Sequence, residues 1–257
     1  MDNILDTFFS KLAISDSCLL LLDYDGTLAP FRVERDKAFP YDGVTERLVY
    51  LVSSGKTRLI IISGRQIDDL KRLLKLKKMP EIWGSHGWER LSADGTYTLR
   101  QADESKLEGL KEALLFIENN GLKKFVEIKP VSLAIHFRGV DSDKALEIKR
   151  KILHNWNRIK KERRLFWSEF DGGLELRLPG FNKGNVVREI IRDYPADTLV
   201  AYLGDDQTDE DAFSALPNNG LGVLVRKEPR PTAAQTTITP PGELLKFLDR
   251  WIEIEKL

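Results

Sequence analysis

Five aspartates at two places in the chain carry the chemistry that this sequence could do. Asp23 and Asp25 flank Tyr24 in "LLLLDYDGTLAPF", directly after four leucines, and Asp205, Asp206 and Asp209 lie in "GDDQTDEDAF". Carboxylates crowded into one place repel one another, and burial adds a further penalty on their charged forms. A bound cation relieves both. No cluster of cysteine or histidine accompanies them, for the chain has one Cys and three His. Oxygen donors alone favour a hard ion, and Mg²⁺ takes one or two carboxylates together with waters and substrate phosphate oxygens. Lys183, in "NKGN", opens a predicted helix and adds positive potential where an anion would bind. Acidic ligands, a hard cation and a lysine together describe phosphoryl chemistry.

That chemistry requires the scattered residues to meet, and the hydropathy pattern says how they could. "CLLLLDY" and "RLIIIS" are short continuous apolar runs, as in parallel strands covered on both faces. Helical patterns alternate with them: one near "DGVTERLVYLVSSG", closed by Gly55, one from about Gln66 to Leu74, and one from Lys183. "TLVAYLG", a helix from Asp209, "LGVLV" and the final "GELLKFLDRWIEIE" continue the rhythm. The alternation predicts a doubly wound α/β fold, whose ligands bind at the carboxyl ends of the strands. Asp23 and Asp25, Ser63 of "SGR", Lys183, and Asp205 with Asp206 all fall at that edge.

The middle third breaks the rhythm. A helix and two short alternating stretches ("FVEIK", "SLAIHFR") are followed by a second helix and two more stretches ("LFWSEF", "GLELRL"). We therefore expect a parallel-sheet core in two segments, residues 1–102 and 179–257. An inserted α+β unit over residues 103–178 would comprise a four-stranded antiparallel sheet and two helices. Period-2 alternation puts Val126, Ile128, Leu133, Ile135, Phe137 and leucines 174, 176 and 178 on a face packed against the helices. Glu127, Lys129, His136, Arg138, Glu175 and Arg177 take the other face. Mixed carboxylates and cations suit a polyol, whose hydroxyls both donate and accept hydrogen bonds. Aromatic stacking surface, which a nucleotide would favour, is lacking there apart from Trp167.

Composition excludes other classes. Lys+Arg and Asp+Glu number 40 each in 257 residues, and this balance gives no electrostatic case for nucleic-acid binding. "RIKKERR" ends a helix and is read as a solvated face. The apolar run at Leu19 is far below the roughly 20 residues a membrane span needs, and "MDNILDTFF" lacks the basic start of a targeting segment. Ile4, Leu5, Phe8, Phe9 and Leu12 recur at helical spacing and predict a short amphipathic helix packed on the protein. Cys18 alone cannot form an internal disulfide, which fits a reducing, cytoplasmic compartment.

Taken together and in order, "DYDGT", "SGR", the lysine of "NKGN" and "GDDQTDEDAF" resemble the four motifs of the haloacid-dehalogenase-like phosphohydrolases. The resemblance implies that Asp23 attacks phosphorus and that Asp25 protonates the leaving alcohol, then deprotonates the hydrolytic water. It implies Mg²⁺ held by Asp23, the Asp25 carbonyl and Asp205, with Asp206 and Asp209 supporting the metal site. Ser63, Lys183 and the backbone amides of Asp23–Asp25 would hold phosphoryl oxygens. Tyr24, and Gly64 and Arg65 of "SGR", would border the substrate. Transport ATPases resembling this site carry threonine at the position of Asp25, so the aspartate points to a phosphomonoesterase.

"LDYDGTLAPF", "GSHGWE", "VEIKPVSLAIHFR" and "GGLELRLPGFNKG" narrow the resemblance to the trehalose-phosphatase family. This implies that Glu127, Lys129 and Glu175 bind the distal glucose, with His136 and Arg138 nearby. His86 either shapes the cleft or is a satisfied structural histidine, and His154, mid-helix, is structural or faces solvent. Phe31 and Phe137 stand where the family often has Ile and Tyr, away from the proposed chemistry. The implied substrate is a sugar phosphate, trehalose 6-phosphate, supplied by a separate trehalose-phosphate synthase. The cap pattern also leaves room for a sucrose-phosphate or glucosylglycerol-phosphate phosphatase, whereas Asp25, Lys183 and the acidic motif argue against a non-catalytic sensor.

Overall fold

The computed structural model describes residues 3–170 and 172–256. In chain order the elements are α1 (Asn3–Leu12), β1 (Cys18–Leu22), α2 (Val44–Ser54), β2 (Thr57–Ile62), α3 (Ile67–Leu74), β3 (Glu81–Gly84), β4 (Glu89–Leu91) and β5 (Tyr97–Leu99). Next come α4 (Glu104–Asn119), β6 (Val126–Lys129), β7 (Ser132–His136), α5 (Ser142–Arg163), β8 (Phe166–Phe170) and β9 (Gly173–Arg177). The chain ends with α6 (Lys183–Arg192), β10 (Leu199–Gly204), α7 (Glu210–Phe213), β11 (Leu221–Val225), β12 (Thr236–Ile238) and α8 (Gly242–Glu255). Two compact units result, Met1–Thr98 with Asn182–Leu257, and Leu99–Phe181.

The first unit holds the α/β fold expected from the sequence. Its strands run in the order β12-β11-β10-β1-β2-β3-β4-β5, parallel from β12 to β3 and antiparallel at β3–β4. The four leucines of β1 explain its continuous apolar run. Leu20 and Leu22 join the core made with α1, α2, α3 and α8, while Leu19 and Leu21 join the one made with α6 and α7. All four are fully buried, each burial contributing about 2 kcal/mol of transfer free energy. Gly55 closes α2 in the left-handed conformation (φ 71°), which a residue without Cβ adopts without steric cost. The opening helix packs Phe8 and Phe9 against Trp251 and Phe247 of α8, but Ile4 of its predicted apolar stripe is exposed.

In the register, Leu22 pairs with both Leu203 and Ile61. Asp23, Asp205 and the Ser63 loop therefore leave three adjacent strands at the same edge. From β1 the chain steps outward through β2 and β3, and from β10 it steps the opposite way, so β1/β10 is the topological switch point.

The second unit is a four-stranded antiparallel sheet, β6-β7-β9-β8, with α4 against β7 and α5 against β8. Leu133, Ile135, Leu174 and Leu176 are buried as the alternation predicts. Two expectations are corrected. Ile128 is 51% exposed, because β6 is an edge strand. Trp167 pairs with Leu176 and so lies on the apolar face, whereas Phe166, paired with Arg177, and Phe170, paired with Gly173, share the polar one.

Candidate active site

The turn after β1 is built to bring one carboxylate onto another loop. The Asp23 amide continues the sheet by donating to Leu203 O at 2.9 Å, and the amides of Leu28 and Ala29 close the turn on Tyr24 O. Gly26 has φ +85°, and a Cβ there would lie 2.1 Å from Asp205 Oδ2. Its missing side chain is what lets Asp205 reach Asp23.

Lys183 enters from the start of α6, whose N-cap Asn182 accepts the Asn185 amide at 2.8 Å. Buried, it donates to Asp23 Oδ1 at 2.6 Å and to Asp209 Oδ1 at 2.7 Å. Asp209 Oδ1 also accepts from Tyr202 Oη at 2.5 Å, and Oδ2 from the amides of Asp205 (3.0 Å) and Asp206 (2.9 Å). Both oxygens of Asp209 are thus filled by two donors each. Asp23 Oδ2 accepts the Thr27 hydroxyl at a longer 3.3 Å. Among the described residues Asp205 Oδ1 is buried with no hydrogen-bond partner, a costly arrangement unless something binds it.

Electrostatics follow from this crowding. Burial, reinforced by the repulsion of Asp209 and only partly offset by Lys183, raises the Asp23 pKa to about 7. Burial and repulsion from Asp23 and Asp209 push Asp205 well above the usual carboxylate range. Burial works against the charge of Lys183, but Asp209 and Asp23 outweigh it and raise its pKa. Asp23, Asp205 and Asp209 each offer an oxygen within 4.8 Å of the others. With Asp209 saturated, Asp23 and Asp205 hold the capacity for a cation, and the orphaned Asp205 oxygen fits a hard divalent ion.

The other core residues singled out by sequence are distributed less evenly. Ser63 is buried beside the β1 edge, its hydroxyl accepting the Arg65 amide at 3.1 Å. Gly64 lies against His86, for a Cβ at Gly64 would meet the imidazole at 2.7 Å. His86 itself follows Ser85 into the left-handed region, φ 57° and 48°, uncommon for residues with a Cβ. Arg65 does not point at open space. Its guanidinium clamps Asp25 through two bonds of 2.7 Å and donates to Arg35 O at 3.0 Å. Tyr24 is wholly buried, its hydroxyl donating to Ala38 O at 2.7 Å, so its side chain belongs to the core. Asp206 caps the following turn through the Gln207 amide at 2.6 Å and does not join the acidic trio.

Sequence reasoning missed three participants. Thr27 and Gly26 stand within "DYDGT", where residue type alone assigns neither of them a role. Tyr202 reads as one more apolar strand residue, and only the fold turns its hydroxyl to Asp209.

In the second unit the polar sheet face is already wired. Glu175 Oε1 accepts from Lys129 (2.9 Å) and Ser132 (2.8 Å), and Glu127 lies 3.1 Å from His136 Nε2 and 3.9 Å from Lys129. Glu127, Lys129, Glu175 and His136 therefore form one cluster, with Phe170 tilted against His136 at 5.4 Å. Arg138 packs over Gly172 instead, and Arg177 donates to Phe181 O.

A parallel core with its switch-point carboxylates and an inserted α+β unit defines a haloacid-dehalogenase-like hydrolase fold. A hydrolase of that type from Bacteroides thetaiotaomicron superposes with TM-score 0.61 at 16% identity, covering 91% of this chain and 99% of that one. The C-terminal domain of Candida albicans trehalose-6-phosphate phosphatase gives TM-score 0.81 at 24% identity, covering 97% and 96%. A family model described as trehalose-phosphatase matches residues 21–239, and the chain belongs to that family. Trehalose-phosphate phosphatase B of Arabidopsis thaliana is 29% identical over 91% of this chain and 66% of its own length. Probable trehalose-phosphate phosphatase 3 of Oryza sativa subsp. japonica is 30% identical over 92% and 70%, and the Mycobacterium marinum phosphatase 30% over 90% and 60%. The chain thus spans about two thirds of the length of these relatives.

Proposed function

We propose that the protein hydrolyses trehalose 6-phosphate to trehalose and inorganic phosphate through an aspartyl-phosphate on Asp23. The observation that carries this reading is the Asp23–Lys183 contact of 2.6 Å. It joins residues 160 positions apart, beside Asp205, at the switch point of a trehalose-phosphatase family member. An Asp23 oxygen attacks phosphorus while the bond to the sugar oxygen breaks, and Asp25 gives that oxygen its proton. Asp25 then takes a proton from water, which displaces phosphate from Asp23 and restores the carboxylate. Lys183 holds Asp23 in line and offsets charge on the phosphoryl group, with Ser63 alongside. Because Arg65 occupies both Asp25 oxygens, proton transfer exchanges one of those bonds for one to the leaving oxygen. Mg²⁺, held by Asp23, Asp205 and the Asp25 carbonyl, would offset the repulsion between carboxylate and phosphate.

The cluster of Glu127, Lys129, Glu175 and His136 suits hydroxyl recognition, and we assign it the sugar, with Arg138 as nearby support. The phosphate ester would come from a separate trehalose-phosphate synthase, in the cytoplasm. Among the described residues no helix is long and apolar enough to cross a membrane. The test is phosphate release by the purified protein with Mg²⁺ across trehalose 6-phosphate, sucrose 6-phosphate, glucosylglycerol phosphate and an aryl phosphate. Trehalose 6-phosphate should be fastest, and a faster sucrose ester would overturn the assignment. Asp23→Asn should abolish turnover with the fold retained by circular dichroism; near-normal activity would rule out the covalent route.

A further inference from the structure

The acidic loop that ends β10 is held from both sides. On one side the amides of Asp205 and Asp206 donate to a single oxygen of Asp209. On the other, their carbonyls accept from a single guanidinium, that of Arg230. Nε and Nη2 of Arg230 reach Asp205 O at 3.3 Å each, and Nη2 reaches Asp206 O at 2.8 Å. Two side chains of opposite charge thus satisfy all four backbone groups of the Asp205–Asp206 pair.

Arg230 is itself fixed. Its Nη1 pairs with Glu210 Oε1 and donates to Pro231 O at 2.9 Å. Glu210 opens α7 one residue after Asp209, and it also accepts from Thr232 Oγ1 (2.9 Å) and the Ala233 amide (2.7 Å). The loop after β11 is thereby stitched to the start of α7, and Glu210 neutralises the arginine. Arg230 can then grip the backbone without setting a net charge against a cation at Asp205. The Asp205 carboxylate, whose Oδ1 has no hydrogen-bond partner among the described residues, takes its direction from a backbone that Arg230 and Asp209 hold between them.

We propose that Arg230 is a positioning residue for metal binding: through the Asp205 and Asp206 carbonyls it fixes the direction of the Asp205 carboxylate, and Glu210 keeps it in place. This rests on the reading of Asp23 and Asp205 as the cation's ligands. Groups that orient metal ligands are worth about 10- to 100-fold in affinity, and Arg230 should fall in that range. Lysine cannot replace it, because a single ammonium cannot span two carbonyls and a carboxylate in one plane.

The test is direct titration of the chelator-treated 257-residue chain with Mn²⁺, followed by electron paramagnetic resonance of the free ion. It uses wild type, Arg230→Lys, Arg230→Met and Glu210→Gln. Both Arg230 variants should bind Mn²⁺ at least about 10-fold more weakly, with Glu210→Gln between them and wild type. At saturating Mg²⁺ the Arg230→Lys kcat should return close to wild type with KM for the sugar phosphate unchanged. A purely structural role would lower the melting temperature of the metal-free protein and leave the Mn²⁺ affinity of its folded fraction untouched. Wild-type Mn²⁺ affinity in folded Arg230→Lys and Glu210→Gln would overturn the proposal even if Arg230→Met failed to fold. Absence of Mn²⁺ binding by wild type would overturn the metal reading and this inference with it.

Discussion

Asp206 and Asp209 stand three residues apart in one acidic string, and nothing in that string separates them. The fold does. Asp209 is fully buried and takes four donors, Lys183, Tyr202 and two amides, whereas the Asp206 side chain caps the following turn at the protein surface. Their substitutions should therefore diverge. In Asp209→Asn an amide NH₂ must face either Lys183 and Tyr202 or two backbone N–H groups, so donors oppose donors whichever way it turns. We expect a loss of about 3 kcal/mol, as for a broken buried ion pair, and turnover about 100-fold lower. Asp206→Ala removes one cap, worth about 1 kcal/mol, and should leave turnover close to wild type. Urea unfolding and phosphate release on both variants check this; equal effects from the two would mean that the buried network does not set the site. The same contrast holds for Arg65 and Tyr24, whose partners Asp25 and Ala38 O are settled by tertiary neighbours and have no trace in the local string.

At the scale of elements the sequence was legible where burial imposes a period. The doubly wound alternation, the inserted α+β unit and the carboxyl-edge placement of Asp23, Ser63 and Asp205 follow from runs of four or more apolar residues or strict alternation. The three-residue strands β4, β5 and β12 are too short to show a period, and the apolar residues of β5, Tyr97 and Leu99, are exposed and not packed in the core. The turn after β1 was legible as a motif but not as a shape. Gly26 combines φ +85° with a Cβ position already filled by Asp205, so Gly26→Ala meets both backbone strain and a clash. Because a flexible shift of Asp205 is the least costly escape, the damage should fall on the site more than on the fold. We expect stability within about 2 kcal/mol of wild type and Mg²⁺ affinity weaker by about 10-fold or more. Unchanged affinity would show that the close approach of the two loops is dispensable.

Across the whole molecule charge is balanced, 40 against 40, yet at the switch point the balance fails locally. Asp23, Asp205 and Asp209 are buried together with Lys183 paired to two of them, so the metal-free protein carries carboxylates it would be more stable without. Asp205 shares in that cost, its pKa raised by burial and by its acidic neighbours Asp23 and Asp209. A carboxyl whose folded pKa lies above its unfolded one stabilises at low pH and loses that contribution as pH rises through the folded value. Asp205→Asn escapes the loss. In chelator it should match wild type near pH 4 and melt at a higher temperature by pH 8, the gap widening as pH increases. A cation reverses the order. Mg²⁺ at 100 times its dissociation constant adds about 2.7 kcal/mol to the native state, roughly 5–10 °C for a chain of this size, and only wild type should gain it. Thermal melts of both proteins, with chelator and with Mg²⁺, decide the matter. If Asp205→Asn keeps the Mg²⁺-dependent rise, or is no more stable than wild type at pH 8 in chelator, then Asp205 is not the residue on which this fold trades stability for a metal.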